Sequence, residues 1–247
     1  MTCFDWPRQT AFGRVIPKSR IYEAAQLGAA MKAQFVDSVG RITWSHKLAP
    51  ETVNLTATKS VPELQVVTIL IKTNDLDDSI LKAIDKAIPF PLIFELYHDG
   101  KRRMVAGYKR PSEADASKWV TSGYFGTDWE DKDVPRQPLP VALDLSALYE
   151  ALLNVIMPDV MNDNPAKPNR LGEAGQAAFE AQPSPVTPPQ TMQERVDRLE
   201  AIAAQTREIE RIRARLNRTK QFNKRIEVNA ELREALEQLE SLKRASQ

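Results

Sequence analysis

The sequence predicts an α+β fold: a mostly antiparallel sheet with flanking helices, followed by a proline-rich linker and a long, coiled-coil-like helical tail. Helix-like and strand-like segments mix over residues 1–157 without strict βαβ alternation. Seven of the 17 prolines fall in 158–189, which is typical of an extended linker. Residues 190–247 contain no glycine or proline. We therefore divide the chain into a globular domain, a linker and a tail at these boundaries.

Apolar periodicity locates the first elements of the globular part. A helix is predicted over 29–39, and strands are predicted over 42–48 and 64–72. A second helix is predicted over 75–88, with Asn74 as its N-cap, because its apolar residues repeat on one face and its first turn is acidic.

The next two strands form the clearest hairpin. Residues 92–97 and 102–109 flank the dipeptide Asp99-Gly100, which suits a type I′ turn. In that register Tyr97 faces Arg102 and Glu95 faces Met104. A further strand is predicted over 124–129 and a final amphipathic helix over 145–157.

Composition narrows the possible functions. The net charge of +1 gives no overall attraction to nucleic acid or acidic membranes. One cysteine and two isolated histidines, His46 and His98, make an ordinary zinc site improbable, and the chain has neither a P-loop nor a GxGxxG motif. We expect no cofactor and no metal. The first ten residues lack the pattern of a signal peptide, so we expect a cytoplasmic protein.

Glu95 and Asp85 are the weak catalytic candidates. With Lys109 they could surround a divalent metal in a nuclease site. The hairpin register argues against this, because Lys109 and Glu95 fall on opposite faces of the sheet, although a bulge near Gly107 would reverse that. The simpler interpretation is that Glu95 pairs with Arg102 or Arg110 across the strands.

A basic patch on the same hairpin is the candidate nucleic-acid surface. Five cations accompany two tyrosines there and could hold a phosphate backbone or stack a base. The alternative is a solvated hairpin whose charges prevent edge pairing. The five residues are Lys101, Arg102, Arg103, Lys109 and Arg110.

The tail carries an apolar seam with helical spacing, which predicts a helix that needs a partner. A basic segment, 207–225, precedes an acidic one, 226–241. Two chains could cross, or one chain could fold back as a helical hairpin near 220–229; the lack of glycine and proline favours one long helix. The seam residues proposed for partner binding or oligomerisation are Ile209, Ile212, Leu216, Phe222, Ile226, Leu232, Leu236 and Leu239.

Several strings, including KLAPET at 47–52, AIPFPLIFEL at 87–96 and KQFNKRIEVN at 220–229, resemble one bacterial family. It is the domain of unknown function four-three-nine-one, and the resemblance covers nearly the whole chain apart from the linker. Proteins of this family tend to be encoded beside adenine-specific DNA methyltransferases and restriction-type or SNF2-like helicases. The resemblance therefore implies an accessory role in restriction-modification or anti-phage defence, and it supplies no catalytic residues.

Three functions follow as hypotheses. The first is a non-enzymatic adaptor that assembles with a DNA methyltransferase or helicase through its tail, with homodimerisation through that tail also possible. The second is a nucleic-acid-binding module that uses the basic hairpin and the basic part of the tail. The third is a divergent metal-dependent nuclease.

Overall fold

The structure is a computed structural model that describes residues 3–115, 118–157, 190–219 and 221–244. Contacts divide the chain into two compact units, Met1–Pro158 and Asp159–Gln247. We call them the sheet unit and the helical unit. The predicted linker, 158–189, lies outside the described residues.

One sheet organises the sheet unit. Its strands follow the spatial order β1-β2-β3-β4-β5-β6, and β7 pairs with β5. The strands are β1 (Ala11–Val15), β2 (Val39–Leu48), β3 (Leu64–Ile71), β4 (Leu92–His98), β5 (Lys101–Pro111), β6 (Trp119–Gly126) and β7 (Glu130–Asp131).

The sheet is mixed, which corrects the prediction of a mostly antiparallel sheet. Strands β3 and β4 pair in parallel, whereas the other neighbouring strands are antiparallel. Parallel neighbours need a crossover, and the helix between these two strands provides it. Ile80, Leu81 and Ile84 of that helix pack in one core cluster with Phe94 and Leu96 of β4. The strand–helix–strand order over 64–98 was the signal for this local βαβ unit.

The helices of the sheet unit are α1 (Lys18–Ala25), α2 (Ala29–Ser38), α3 (Pro50–Val53), α4 (Asp78–Ala87) and α5 (Leu145–Ile156). Helix α4 begins later than predicted, and its N-cap is Asp77, whose carboxylate accepts from the Ser79 amide at 2.8 Å. Asn74, the predicted cap, instead lies 3.0 Å from His98 Nε2. None of the helices described in either unit is long and apolar enough to cross a membrane.

The β4–β5 hairpin confirms the predicted register. Glu95 is opposite Met104, and Tyr97 is opposite Arg102. Both turn residues have positive φ, 44° at Asp99 and 74° at Gly100, as a type I′ turn requires.

The helical unit is an antiparallel helical hairpin of α6 (Met192–Arg218) and α7 (Phe222–Arg244). The single long helix that the lack of glycine and proline favoured is therefore wrong, and the alternative of a fold-back is correct. Helix α6 ends where the Thr219 hydroxyl donates to the Arg215 carbonyl at 2.8 Å. Folding back buries the seam of each helix against the other, which one isolated helix cannot do.

Candidate functional site

A buried cluster around Lys109 ties β5 to the end of α4. The Lys109 ammonium donates to Asp85 Oδ1 at 3.2 Å and to the carbonyls of Asp85 at 2.7 Å and Ile88 at 2.6 Å. The Tyr124 hydroxyl donates to the other carboxylate oxygen of Asp85. Since the last carbonyls of a helix lack intrahelical partners, Lys109 acts as a C-terminal cap of α4.

Burial dominates the electrostatics of this cluster. It raises the pKa of Asp85, against the attraction of Lys109 and the hydrogen bond from Tyr124. It also lowers the pKa of Lys109, against the attraction of Asp85. Burial, together with the neighbouring Asp85 charge, raises the pKa of Tyr124. The three groups complete one another's hydrogen bonds, so the cluster stabilises the fold at this position.

A cleft of about 350 Å³ opens over the cluster, and exposed lysines line it. Two of these lysines already have partners: Lys86 donates to the Ala25 carbonyl at 3.2 Å, and Lys118 pairs with Asp115 at 3.2 Å. Lys82 is also exposed at the rim. Much of the positive charge that lines the cleft is therefore engaged within the protein.

Glu95 lies on the opposite face of the sheet and is 3% exposed. Its Oε1 accepts from Trp6 Nε1 at 2.7 Å and from Arg136 Nη1 at 2.7 Å. Its Oε2 accepts from Arg136 Nη2 at 3.0 Å and from the Tyr97 hydroxyl at 3.2 Å. This carboxylate therefore joins two remote chain segments to β4, one through the hydrogen bond from Trp6 and one through a bidentate ion pair with Arg136.

The predicted partners of Glu95 were wrong. Arg102, which is 4% exposed, instead pairs with Glu130 at 3.0 Å and donates to the Lys132 carbonyl at 2.9 Å. Arg110 lies 3.4 Å from Glu113. Cross-strand spacing cannot identify Arg136, because it lies in an irregular segment 41 residues beyond Glu95.

The geometry brings Asp85 and Lys109 together but leaves Glu95, the third metal-site candidate, apart from them. Glu95 alternates with Phe94 and Leu96, which face α4 in the core, so Glu95 and Asp85 lie on opposite faces. The register does shift between Gly107 and Lys109, yet Lys109 stays on the face of Asp85. Over the described ranges, no group of three His, Cys, Asp or Glu residues is arranged to hold a metal.

The basic patch on the β4–β5 hairpin is also largely engaged. Arg102 and Lys109 are buried. Arg103 lies 3.7 Å from Asp75 and over the Trp129 ring at 5.4 Å. Of the five candidate cations for phosphate binding, Lys101 is exposed.

The two histidines have structural surroundings. His46 Nδ1 lies 3.0 Å from the Thr10 hydroxyl, and burial lowers its pKa. His98 Nδ1 lies 3.2 Å from the Ile71 carbonyl. Both rings therefore lie within hydrogen-bonding distance of the fold around them.

The predicted seam of the tail is mostly consumed within the helical hairpin. Ile209 and Ile212 are buried with Val228 and Ala235. The partly buried residues packed against this cluster are Leu216, Leu232 and Leu239. Two other seam residues are exposed, Ile226 by 55% and Leu236 by 36%. The side chain of Phe222 lies outside the described residues.

Polar contacts align the same two helices. Gln205 Nε2 donates to the Ala235 carbonyl at 3.0 Å and to Gln238 Oε1 at 3.1 Å. Arg215 of the basic segment pairs with Glu231 of the acidic segment. The basic and acidic segments of the tail thus pair with each other within one chain.

Sequence reasoning missed four side chains that build the two clusters: Trp6, Arg136, Tyr124 and Tyr149. Buried indole and phenol groups need a hydrogen-bond partner, so buried carboxylates were reasonable targets for the aromatic residues. Tyr149 shows the rule with backbone groups, since its hydroxyl donates to the Gly107 carbonyl at 2.8 Å and accepts from the Lys109 amide at 3.0 Å. Spacing alone gives no such pairing.

The comparisons with known proteins identify a family without an assigned activity. The family described as Domain of unknown function (DUF4391) matches residues 4–239. The chain belongs to this family. No curated protein and no solved structure matches the chain.

Proposed function

We propose that this DUF4391 protein is a non-enzymatic accessory subunit of a bacterial restriction-modification or anti-phage system, and that it acts in the cytoplasm. Its partner in this proposal is a DNA methyltransferase or a helicase. The resemblance of the sequence to proteins encoded beside such enzymes motivates the choice of partner. The observation that carries the binding role is a separate helical hairpin with large apolar side chains left at its surface.

The helical hairpin supports a binding role because its fold does not use all of its seam. Ile226 and Leu236 on α7 stay exposed by 55% and 36%, while the four buried residues of the hairpin core pack against one another. Exposed apolar side chains on a charged helix are suited to a protein interface, whose centre is usually apolar. In this proposal the partner covers the exposed residues.

The state of the carboxylates agrees with an accessory role. Asp85 is held by Lys109 and Tyr124. Glu95 accepts from Trp6 and, through both oxygens, from Arg136. Each of these two carboxylates has a structural role, so neither of them favours the nuclease hypothesis.

Co-purification tests the proposal. The full chain would be co-expressed with a DNA methyltransferase and a helicase of its host and captured by an affinity tag. We expect one of them to be retained by the wild-type chain and lost with Ile226→Asp/Leu236→Asp. The matched control is Val141→Asp, since Val141 is 101% exposed in the sheet unit. Retention of the partner by the double variant, or no retention by any version, would overturn the proposal.

Homodimerisation is the alternative use of the same exposed residues. It predicts that the purified chain alone has twice the monomer mass and that the double variant has the monomer mass. Light scattering measures this mass and distinguishes homodimerisation from docking to another protein, because under the docking hypothesis the isolated chain has the monomer mass.

A further inference from the structure

We propose that the closed end of the helical hairpin binds the phosphate backbone of nucleic acid. We call this surface the basic tip: the described cations between Arg207 and Arg225. The inference goes beyond the assembly role proposed above. It rests on the geometry of the fold-back, which gathers charges from both helices.

The charge of this segment is unlike that of the rest of the chain. Residues 207–225 contain eight basic residues and two glutamates, a net charge of +6, whereas the whole chain carries +1. The remainder of the protein is therefore acidic. The described cations, all exposed, are Arg207, Arg211, Arg213, Arg215, Arg218, Lys224 and Arg225.

Three of the arginines form a stripe on the outer face of α6. At about 100° per residue, Arg207, Arg211 and Arg218 lie opposite the seam that contains Ile209 and Ile212. They span about 16 Å at about 1.5 Å per residue. Duplex DNA carries a phosphate charge about every 1.7 Å of its axis, so several phosphates fit along this stripe.

The tip is weakly neutralised by the protein itself. Arg215 pairs with Glu231, and Arg211 makes an exposed pair with Glu208 at 3.2 Å, a kind of pair that contributes little. Arg218, Lys224 and Arg225 have no carboxylate within ion-pair distance among the residues of the described ranges.

Two of these cations are placed where they oppose the helix dipole. Lys224 and Arg225 lie in the first turn of α7, and that turn contains no acidic residue. Cations at a helix N-terminus are unfavourable, whereas anions there are stabilising. A bound polyanion would reverse that disadvantage.

The chemistry of the stripe favours nucleic acid over an acidic protein. No large apolar side chain lies among its arginines, and protein interfaces usually have an apolar centre. Guanidinium groups match phosphate oxygens through two parallel hydrogen bonds. The acidic segment of a second copy is the competing occupant, and the test below includes it.

The experiment measures fluorescence anisotropy of the full chain with a labelled mixed-sequence duplex of about 30 base pairs, and separately with a single strand of equal length, over a salt series. The variant is Arg218→Gln/Lys224→Gln/Arg225→Gln. The control is Arg20→Gln/Lys59→Gln/Lys132→Gln, which removes three exposed charges from the sheet unit. Circular dichroism checks that the helical hairpin stays folded.

We expect the wild type to bind at least one of the two probes with a steep salt dependence. The tip variant should lose on the order of 100-fold in affinity at about 0.1 M salt, and the slope of log K against log salt should fall by about 2 to 3. The control should lose much less. Equal losses in both variants, or no binding of either probe by the wild type, would overturn the proposal.

Two further measurements separate the outcomes. Light scattering measures the mass of the isolated chain in solution. If the tip variant lowers this mass from that of a dimer to that of a monomer and still binds nucleic acid like the wild type, the tip binds a second copy and the proposal is wrong. The tip variant should still capture the methyltransferase or helicase, and Leu236→Asp, which lies farther along α7 than the tip, should keep the salt slope of the wild type. Failure of this inference is thereby distinguishable from failure of the proposed assembly role.

Discussion

Glu95→Gln should destabilise the sheet unit because it converts a buried ion pair into an uncompensated arginine. The amide oxygen can still accept from Trp6 Nε1 and Arg136 Nη1, which lie 2.7 Å from Oε1. The amide nitrogen then replaces Oε2, which accepts from Arg136 Nη2 at 3.0 Å, so two donors face each other. Removing one partner of a buried pair costs about 3 to 5 kcal/mol. We expect about 3 kcal/mol, since the Arg136 side chain is 23% exposed.

Urea denaturation followed by tryptophan fluorescence measures this cost. For an m-value of about 2 to 3 kcal/mol/M, the midpoint should fall by about 1 to 1.5 M. The control is Glu51→Gln, which breaks a surface pair with Lys47 and should leave the urea midpoint nearly unchanged. Trp6→Phe removes one donor to the same carboxylate and should cost about 1 kcal/mol. If Glu95→Gln stays within about 0.5 kcal/mol of the wild type, Glu95 is not a structural anchor and this reasoning fails.

Three further predictions concern the other buried groups. Lys109→Met should destabilise the sheet unit by about 3 kcal/mol and raise the pKa of Asp85 further, because Lys109 is the cation that lowers it. Since the folded pKa of Asp85 is above its unfolded value, the variant should lose stability as pH rises through the folded value. Urea midpoints measured against pH should show that fall, and a pH-independent difference from wild type would contradict it. Burial raises the pKa of the Cys3 thiol to about 12, so at pH of about 8 only about one thiol in 10⁴ is ionised. The thiol should therefore resist a disulfide reagent in the folded chain and react fully in urea. Fast labelling of the folded chain would refute the burial of Cys3. Ile212→Asp should unfold the helical hairpin and reduce the helical circular dichroism signal, to which α6 and α7 contribute. Arg213→Asp, at an exposed neighbouring position, should leave that signal unchanged. Equal signals from both variants would contradict the assigned seam.

Turn residues and apolar alternation predicted much of the sheet unit, because both depend on residues that are near one another in the sequence. The Asp99-Gly100 turn determined the hairpin register, and alternation along β4 and β5 placed Glu95 and Lys109 on opposite faces. The parallel pairing of β3 and β4 was missed, although both strands were found, because pairing direction depends on where α4 packs. Non-local packing of this kind leaves only a weak trace in sequence spacing.

The ionic partners were harder to predict than the strands. A buried carboxylate in a strand clearly needs donors, but several arginines could supply them. Arg136 was selected over Arg102 and Arg110 by the path of an irregular segment, which no periodicity encodes. The tail shows the same limit: the seam predicted a helical partner correctly, whereas only packing could show that the partner is the second half of the same segment.

Hydrogen–deuterium exchange of the full chain, with and without a purified DNA methyltransferase or helicase of its host, tests the central claim most directly. The claim is that the protein binds a DNA methyltransferase or helicase through α7. We predict slower exchange on binding in the α7 peptides that contain Ile226 and Leu236, with unchanged exchange in the β4 and β5 peptides that contain Glu95 and Lys109. Protection confined to the sheet unit, or no protection at saturating partner, would contradict the claim.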